Sequence, residues 1–397
     1  MIIQHQPPLH LTYCMNIHPG ETWAEQLAAL HDKTQMVAKF VADGEWFGLG
    51  LRLGAQAVND LADDPELRRA ALDTFHEHKL YPFTVNAFPY GRFHAGPVKE
   101  QVYAPDWRMA ERRDYTFDVC DILAEWLPEG IDGSISTVPG SYKDWIREPE
   151  SVVVMANNLA SVASYLAAVR EDTGKEIHLG LEPEPDCFLE TTEETIHFFK
   201  TALWTHGAEE IKRIRQCSGS EAEAIIRRHI GICFDTCHVA LQYEDPTEAL
   251  KRYQSEGIRI SKVQLSAALS ARNTPEARAA LRAFAEPVYL HQTKVLTKDG
   301  HVHGWPDLAP ALDTVGLLSD IEEMRVHFHV PLFFKGTDVL QSTFDTLTPE
   351  FFALLKKGAT SHVEIETYTF DVLPPELRPT DVVKSIAREF QWVREHL

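Results

Sequence analysis

GLEPEP, residues 180–185, ends an apolar run that begins at Ile177. CFDTCH, residues 233–238, ends another that begins at Ile230. Both runs read as buried β-strands that stop on acidic and imidazole side chains, and a helix-like stretch follows each. The same pattern recurs outward along the chain, at 11–18, 47–54, 83–91 and 132–140 on one side and at 260–268, 324–333 and 362–370 on the other. Helix-like segments such as 63–78 and 193–203 lie between most of these runs. Alternating β and α elements argue for a parallel sheet with helical crossovers. Nine runs are one more than an eight-stranded (β/α)8 barrel needs. The 324–333 run is assigned to an elaborated connection between a seventh strand at 260–268 and an eighth at 362–370. That connection is long and polar, as functional insertions are, and it is expected to hold several helices. No linker or internal repeat divides the chain, so residues 1–397 are expected to form a single TIM-barrel domain.

Composition narrows the function. Apolar residues make up 44% of the 397 and charged residues 24%, with 59 acidic against 38 Lys and Arg, a net charge of −21. This balance disfavours nucleic acid and anionic lipid as partners. The six cysteines (14, 120, 187, 217, 233 and 237) include no CxxC pair and read as reduced thiols of a cytoplasmic protein. The N-terminus lacks the basic and apolar regions of a signal peptide. Residues 151–169 are uncharged but carry Asn157, Asn158 and several serines, so they read as a buried helix and not a membrane span. No glycine-rich phosphate loop opens a helix, which speaks against nucleotide binding.

Active sites of such barrels lie at the carboxyl ends of the strands. The residues there are Asn16 and His18, Arg52, Asn86, Glu182 and Glu184, Asp235 and His238, Gln264 and Ser266, and Glu364 and Glu366. Carboxylates at three strand ends, joined by histidines, are what a divalent cation needs: hard oxygens neutralise it and imidazole completes its shell. Each has a plainer reading as well. A strand-end carboxylate can pair with Lys or Arg, Asp235 can cap the next helix, and His327 and His329 can pack in a core. If 324–333 is extended, those two imidazoles point the same way, and at least one is expected to reach the pocket. HVH at 301–303 is a weaker pair. The loop 86–107 sets Asn86, Tyr90, His94, Lys99, Tyr103 and Asp106 among aromatics, as a substrate-covering loop would. Lys99 there can steady an enediolate or a phosphate, or be solvated.

GLEPEP, CFDTCH and EIETYT, in this order, resemble the xylose-isomerase-like TIM-barrel superfamily of sugar isomerases, epimerases and endonuclease IV. YCMNIHPGETW (13–23), NAFPYGRFH (86–94), VKEQVYAPDW (98–107), VHFHVPLF (326–333) and VEIETYTFDVLP (363–374) resemble one branch, the EboE "metabolite traffic" proteins of bacterial secondary-metabolite operons. The resemblance spans nearly the whole chain. It implies metal ligands at Glu182, Asp235, His238 and Glu366. Where isomerases place a seventh-strand histidine this chain has Gln264, and where endonuclease IV has Asp-x-His it has His327-x-His329. The ion implied is Mn, Mg or Zn. Glu182 and Glu366 are the acid/base candidates, with His94 and Lys99 as further catalytic candidates, and His18, Arg52, Asn86 and Tyr90 are the substrate-binding candidates.

Three readings stay open. One is a metal-dependent isomerase or epimerase acting on a small polyhydroxylated metabolite. Another is an endonuclease IV-type phosphoester hydrolase working on a small substrate. The last is a non-catalytic metabolite-binding protein, which the Gln264 departure favours. A small metabolite is the expected partner in each, together with the pathway proteins that the resemblance implies.

Overall fold

The structure, a computed structural model, describes residues 1–89, 99–285, 289–370, 373–374 and 378–397. Its strands are β1 (Ile2–His5), β2 (Pro8–Tyr13), β3 (Phe47–Arg52), β4 (Leu80–Asn86), β5 (Gly133–Thr137), β6 (Ile177–Leu181), β7 (Ile230–Asp235), β8 (Arg259–Leu265), β9 (Ala267–Arg272), β10 (Thr293–Thr297), β11 (Val302–Trp305), β12 (Ile321–Val330), β13 (Gln341–Ser342) and β14 (His362–Ile365). One sheet runs β1-β2-β14-β8-β7-β6-β5-β4-β3. From β2 round to β3 every neighbouring pair is parallel, while β1 folds back on β2 as an antiparallel hairpin. A parallel bridge from Cys14 to Gly50 brings β2 and β3 together and closes the circle. The closure needs a glycine, because a Cβ at position 50 would lie 2.1 Å from Glu364 Oε1 and 2.6 Å from the Tyr13 carbonyl. The fold is a (β/α)8 TIM barrel.

Helices on the outside bury their apolar stripes on the strands. Several start with an acceptor side chain that fills orphan amides, such as the capping boxes Thr22/Glu25, Thr191/Glu194 and Ser218/Glu221. The long apolar helix Glu150–Thr173 has no such side-chain cap. By length and composition it passes as a membrane span, but half of its apolar window is buried inside the fold, and Gly174, in the left-handed region at φ 73°, ends it.

The barrel interior is polar in layers. At the amino end of the strands Asp132 is held by Arg259, His178 and His362. Above it Lys262 Nζ lies 2.6 Å from Glu364 Oε2, with both side chains fully buried.

The connection between β8 and β14 contains more than helices. Within it β11-β10-β12-β9-β13 form a second, antiparallel sheet. The 324–333 run, expected as part of a loop, is most of β12. It is not a barrel strand, as anticipated, but it is the middle of this sheet. Its period of two explains why: Met324, Val326, Phe328 and Val330 are buried in the apolar core, while His327 and His329 fall on the opposite face.

Candidate functional site

Glu182 follows β6, Asp235 ends β7 and Glu366 follows β14, so the parallel register delivers all three to the same rim. One oxygen from each lies within 4.8 Å of the others. Asp235 plays two parts. Its Oδ1 accepts from the amides of Cys237 (2.7 Å) and His238 (3.1 Å), capping the short helix Thr236–Leu241. Its Oδ2, and Oε2 of Glu182, are buried with no hydrogen-bond partner among the described residues. Glu366 Oε1 accepts from Asn16 Nδ2 at 3.0 Å.

Burial, and then the neighbouring carboxylates, push the Glu182 and Glu366 acids well above their ordinary range. Burial pushes Asp235 up as well, but His238 and His329, together with hydrogen bonds with Glu366 and Ser266, leave its acid lowered. Buried, crowded carboxylates with orphan oxygens carry a large desolvation cost unless protons or a cation neutralise them.

Beside them stand three imidazoles whose tautomers follow from their partners. His238 Nδ1 faces the Pro183 carbonyl at 3.0 Å, and His329 Nδ1 faces the Glu366 carbonyl at 2.7 Å. A carbonyl only accepts, so both Nδ1 atoms carry the hydrogen. His327 Nδ1 faces Gln292 Oε1 at 2.8 Å. Gln292 Nε2 in turn donates to the Pro185 carbonyl (3.2 Å), which fixes the amide's orientation and makes His327 Nδ1 a donor too.

All three Nε2 atoms therefore present lone pairs when the rings are neutral. They converge: His238 to His327 is 3.0 Å and His327 to His329 is 3.3 Å. Two nitrogens bound tetrahedrally to one ion at about 2.0–2.1 Å lie about 3.3–3.4 Å apart. Burial lowers His238 to about 4, and burial with neighbouring imidazoles takes His327 well below 6.5, so these two rings are neutral at neutral pH. Asp235 also groups with His238 and His329, and Glu184 with His238 and His327. Donor types, burial and orphan oxygens fit divalent cations.

Other anticipated residues lie elsewhere. Gln264 is engaged in the barrel interior, where its Oε1 accepts from the Cys233 thiol (2.9 Å) and its Nε2 donates to Asn86 Oδ1 (3.1 Å). Asn86 lines the bottom of the cavity, but its amide is held by Glu364, Lys262, Gln264 and Ser136, so it is scaffold more than a free substrate contact. His18 packs on the Tyr13 hydroxyl at 2.9 Å and is not among the lining residues. Arg52 lines the cavity and pairs with Glu21 at 3.2 Å. Lys99 lines it too, with an exposed side chain whose Nζ lies 3.2 Å from Asp307 Oδ2. Tyr90 and His94 lie outside the described residues. His301 and His303 are exposed on and beside β11, away from the site. Asp106 is a structural anchor for Arg108 and Ser141.

A cavity of about 80 Å³ opens over the carboxylates, and His238, His327 and His329 share its lining. Its far wall is Phe88, Val102, Tyr103, Tyr289, Leu290 and Tyr368. Tyr103 donates to Glu184 Oε1 at 2.7 Å, and burial raises the Glu184 acid to about 8. The sequence placed Glu184 at a strand end without a role and Tyr103 in the substrate-covering loop, and it offered no reading of Tyr289, Gln292 or Tyr368 as site residues. Tyr368 sits two residues after Glu366, which is a usable signal. Gln292 has none, because its role exists only through His327.

No protein-family model matches the chain and no curated protein matches it in sequence. Solved structures do. A xylose isomerase-like TIM barrel protein from Mycobacterium smegmatis, in complex with magnesium, is similar over 98% of this chain and 96% of its own, with a TM-score of 0.52 and 9% identity. An L-ribulose 3-epimerase covers 98% and 94% at 11% identity and a TM-score of 0.48. The IolI protein with a bound zinc atom covers 97% and 98% at 12% identity, also with a TM-score of 0.48. At such identity the Mycobacterium structure supports the barrel fold alone and leaves the chemistry to be argued from this chain's own residues.

Proposed function

We propose that this chain is a metal-dependent isomerase- or epimerase-like protein acting on a small polyhydroxylated metabolite. The observation that carries the reading is the meeting of Glu182, Asp235 and Glu366, two of them with orphan oxygens, with three imidazole lone pairs under one small cavity. A divalent ion of the Mn, Mg or Zn kind, held by these carboxylates with His238 beside them, would supply Lewis-acid polarisation of a carbonyl and a clamp for two vicinal oxygens. The chain's own groups do the rest. Glu182 and Glu366, with oxygens within 4.8 Å of each other, would serve as acid and base for a proton on carbon. Asn16 orients Glu366, and Tyr103 orients Glu184. The wall of Phe88, Tyr289, Leu290 and Tyr368 covers an apolar face of the metabolite and excludes water.

A second reading, hydrolysis of a small phosphoester, is favoured by one observation: the imidazole group next to the carboxylates offers ligands for a second ion, as two-ion displacement requires. A binding role without turnover draws on Gln264, since the seventh barrel strand contributes no ligand. We place the chain, as one domain, in the cytoplasm within a small-metabolite pathway of the EboE kind, with other proteins of that pathway as partners. The support is the run of matching motifs from Tyr13 to Pro374.

Elemental analysis of protein purified without added metal, followed by deuterium incorporation from D2O into a panel of aldoses, ketoses and cyclitols, tests the proposal. Stoichiometric metal, lost in Asp235→Asn and Glu182→Gln, with exchange at a carbon next to a carbonyl, is the expected result. A well-folded chain that binds no divalent ion refutes it. Cleavage of a generic phosphomonoester or diester without exchange selects the second reading, and ligand binding without either reaction selects the third.

A further inference from the structure

Cys237 has not yet been given a role. Its Sγ lies within 4.8 Å of a ligand nitrogen on each of His327 and His329, and all three residues are buried. The thiol forms no hydrogen bond among the described residues, whereas Cys233, four residues earlier, is engaged by Gln264. Around Cys237 are Leu241 and Ala268, an apolar shelf. Its backbone amide is held by Asp235 Oδ1 (2.7 Å) and Ser266 Oγ (2.9 Å), which fixes the residue against the site. Nothing in the isomerase or hydrolase reading needs a cysteine here.

We propose that Cys237 is a metal-ligating thiol, whose sulfur joins His327 and His329 in a site for a zinc-class ion beside the all-oxygen group of Glu182, Asp235 and Glu366. The proposal rests on the metal-site reading above and adds to it the chemical class of the ion. Thiolate and imidazole donors select zinc-like cations, while carboxylates alone suit magnesium or manganese. The two groups therefore sort ions by softness, and Asp235, which belongs to the oxygen group and also groups with His238 and His329, links them. As the sulfur–metal bond forms, the thiol proton leaves to solvent, since a coordinating thiol is deprotonated outright. The apolar shelf keeps competing water from the sulfur and strengthens the bond.

X-ray absorption on the zinc-loaded full-length protein gives the direct test, and it needs no variant. A sulfur shell at about 2.3 Å is expected. Cobalt loading should produce a near-ultraviolet sulfur-to-cobalt charge-transfer band that persists in Cys233→Ser and disappears in Cys237→Ser. Competition with a chromophoric chelator should show zinc affinity at least about tenfold weaker in Cys237→Ser, with magnesium and manganese affinity unchanged. A bound zinc with only nitrogen and oxygen neighbours overturns the role of Cys237 and leaves the metal-site reading standing. A chain that takes up no zinc, magnesium or manganese overturns both.

Discussion

Gln292 decides which nitrogen of His327 is offered to the cavity. The Pro185 carbonyl can only accept, so the amide nitrogen faces it, the amide oxygen faces Nδ1, and the lone pair is left on Nε2. Gln292→Leu removes that constraint without touching a proposed ligand. It should weaken divalent-metal binding 10- to 100-fold, as loss of such a partner typically does, while the melting temperature stays close to wild type; isothermal titration and calorimetry read the two separately. Lys262 behaves differently. Glu364 overcomes burial and keeps its ammonium pKa raised, and the pair is sealed in the barrel. Lys262→Met strands a buried carboxylate and should cost about 3–5 kcal/mol in urea unfolding, much of it regained in the double variant with Glu364→Leu. Equal stability of single and double variants would show that the pair carries no coupling.

Two kinds of element meet at the rim. Parallel strands bring carboxylates to one end because their register is shared, and the antiparallel β12 brings imidazoles from outside the barrel. Where β12 leaves its sheet, the helix Val382–His396 clamps it: Glu389 Oε1 accepts from the Leu332 amide (3.1 Å) and from Thr367 Oγ1 (2.7 Å). Burial raises the Glu389 acid from 4.5 to about 7. The folded state thus holds its proton where the unfolded chain has lost it. Its contribution to stability is complete below about pH 4.5 and is lost as pH rises through 7, a swing of up to about 3 kcal/mol. Glu389→Gln keeps an acceptor oxygen and has no charge to bury, so it should be more stable than wild type at pH 8 and flatter between pH 4.5 and 7. Parallel pH–stability curves for the two proteins would count against the assignment.

At the scale of the molecule, direct bonds such as His329 Nδ1 to the Glu366 carbonyl and Lys294 to Asp186 tie the inserted sheet to the barrel, and the proposed cation would add a further tie between the carboxylates and imidazoles at the rim. Chelation should therefore loosen the insertion first. With free ion at a hundred times its dissociation constant, binding contributes about 2.7 kcal/mol. Calorimetry should show a lower melting temperature after treatment with a chelator, recovered on adding back the ion. Hydrogen exchange should show β9, β10 and β12 losing protection before β5 and β6. Uniform loss of protection would mean that the cation does not join the two parts.

Much of this was already present in the order of residues. Apolar runs ending in Glu182, Asp235 and Glu366 specify parallel strands that deliver carboxylates to one rim, because strand direction and side-chain alternation are local properties. The alternation in Met324–Val330 likewise specifies that His327 and His329 share a face. What that face meets is not local. That β12 belongs to a second sheet, and that Gln292, Cys237 and Tyr368 converge with residues far from them in the chain, depend on how the insertion docks on the barrel, while Gln264 meets Cys233 and Asn86 only once the barrel has closed. Docking is set by summed packing over many residues, and no single stretch carries it. The two readings of Asp235 show the difference most plainly. A helix cap is legible three residues ahead, but the orphan second oxygen exists only because Glu182 and Glu366 arrive from other strands to bury it.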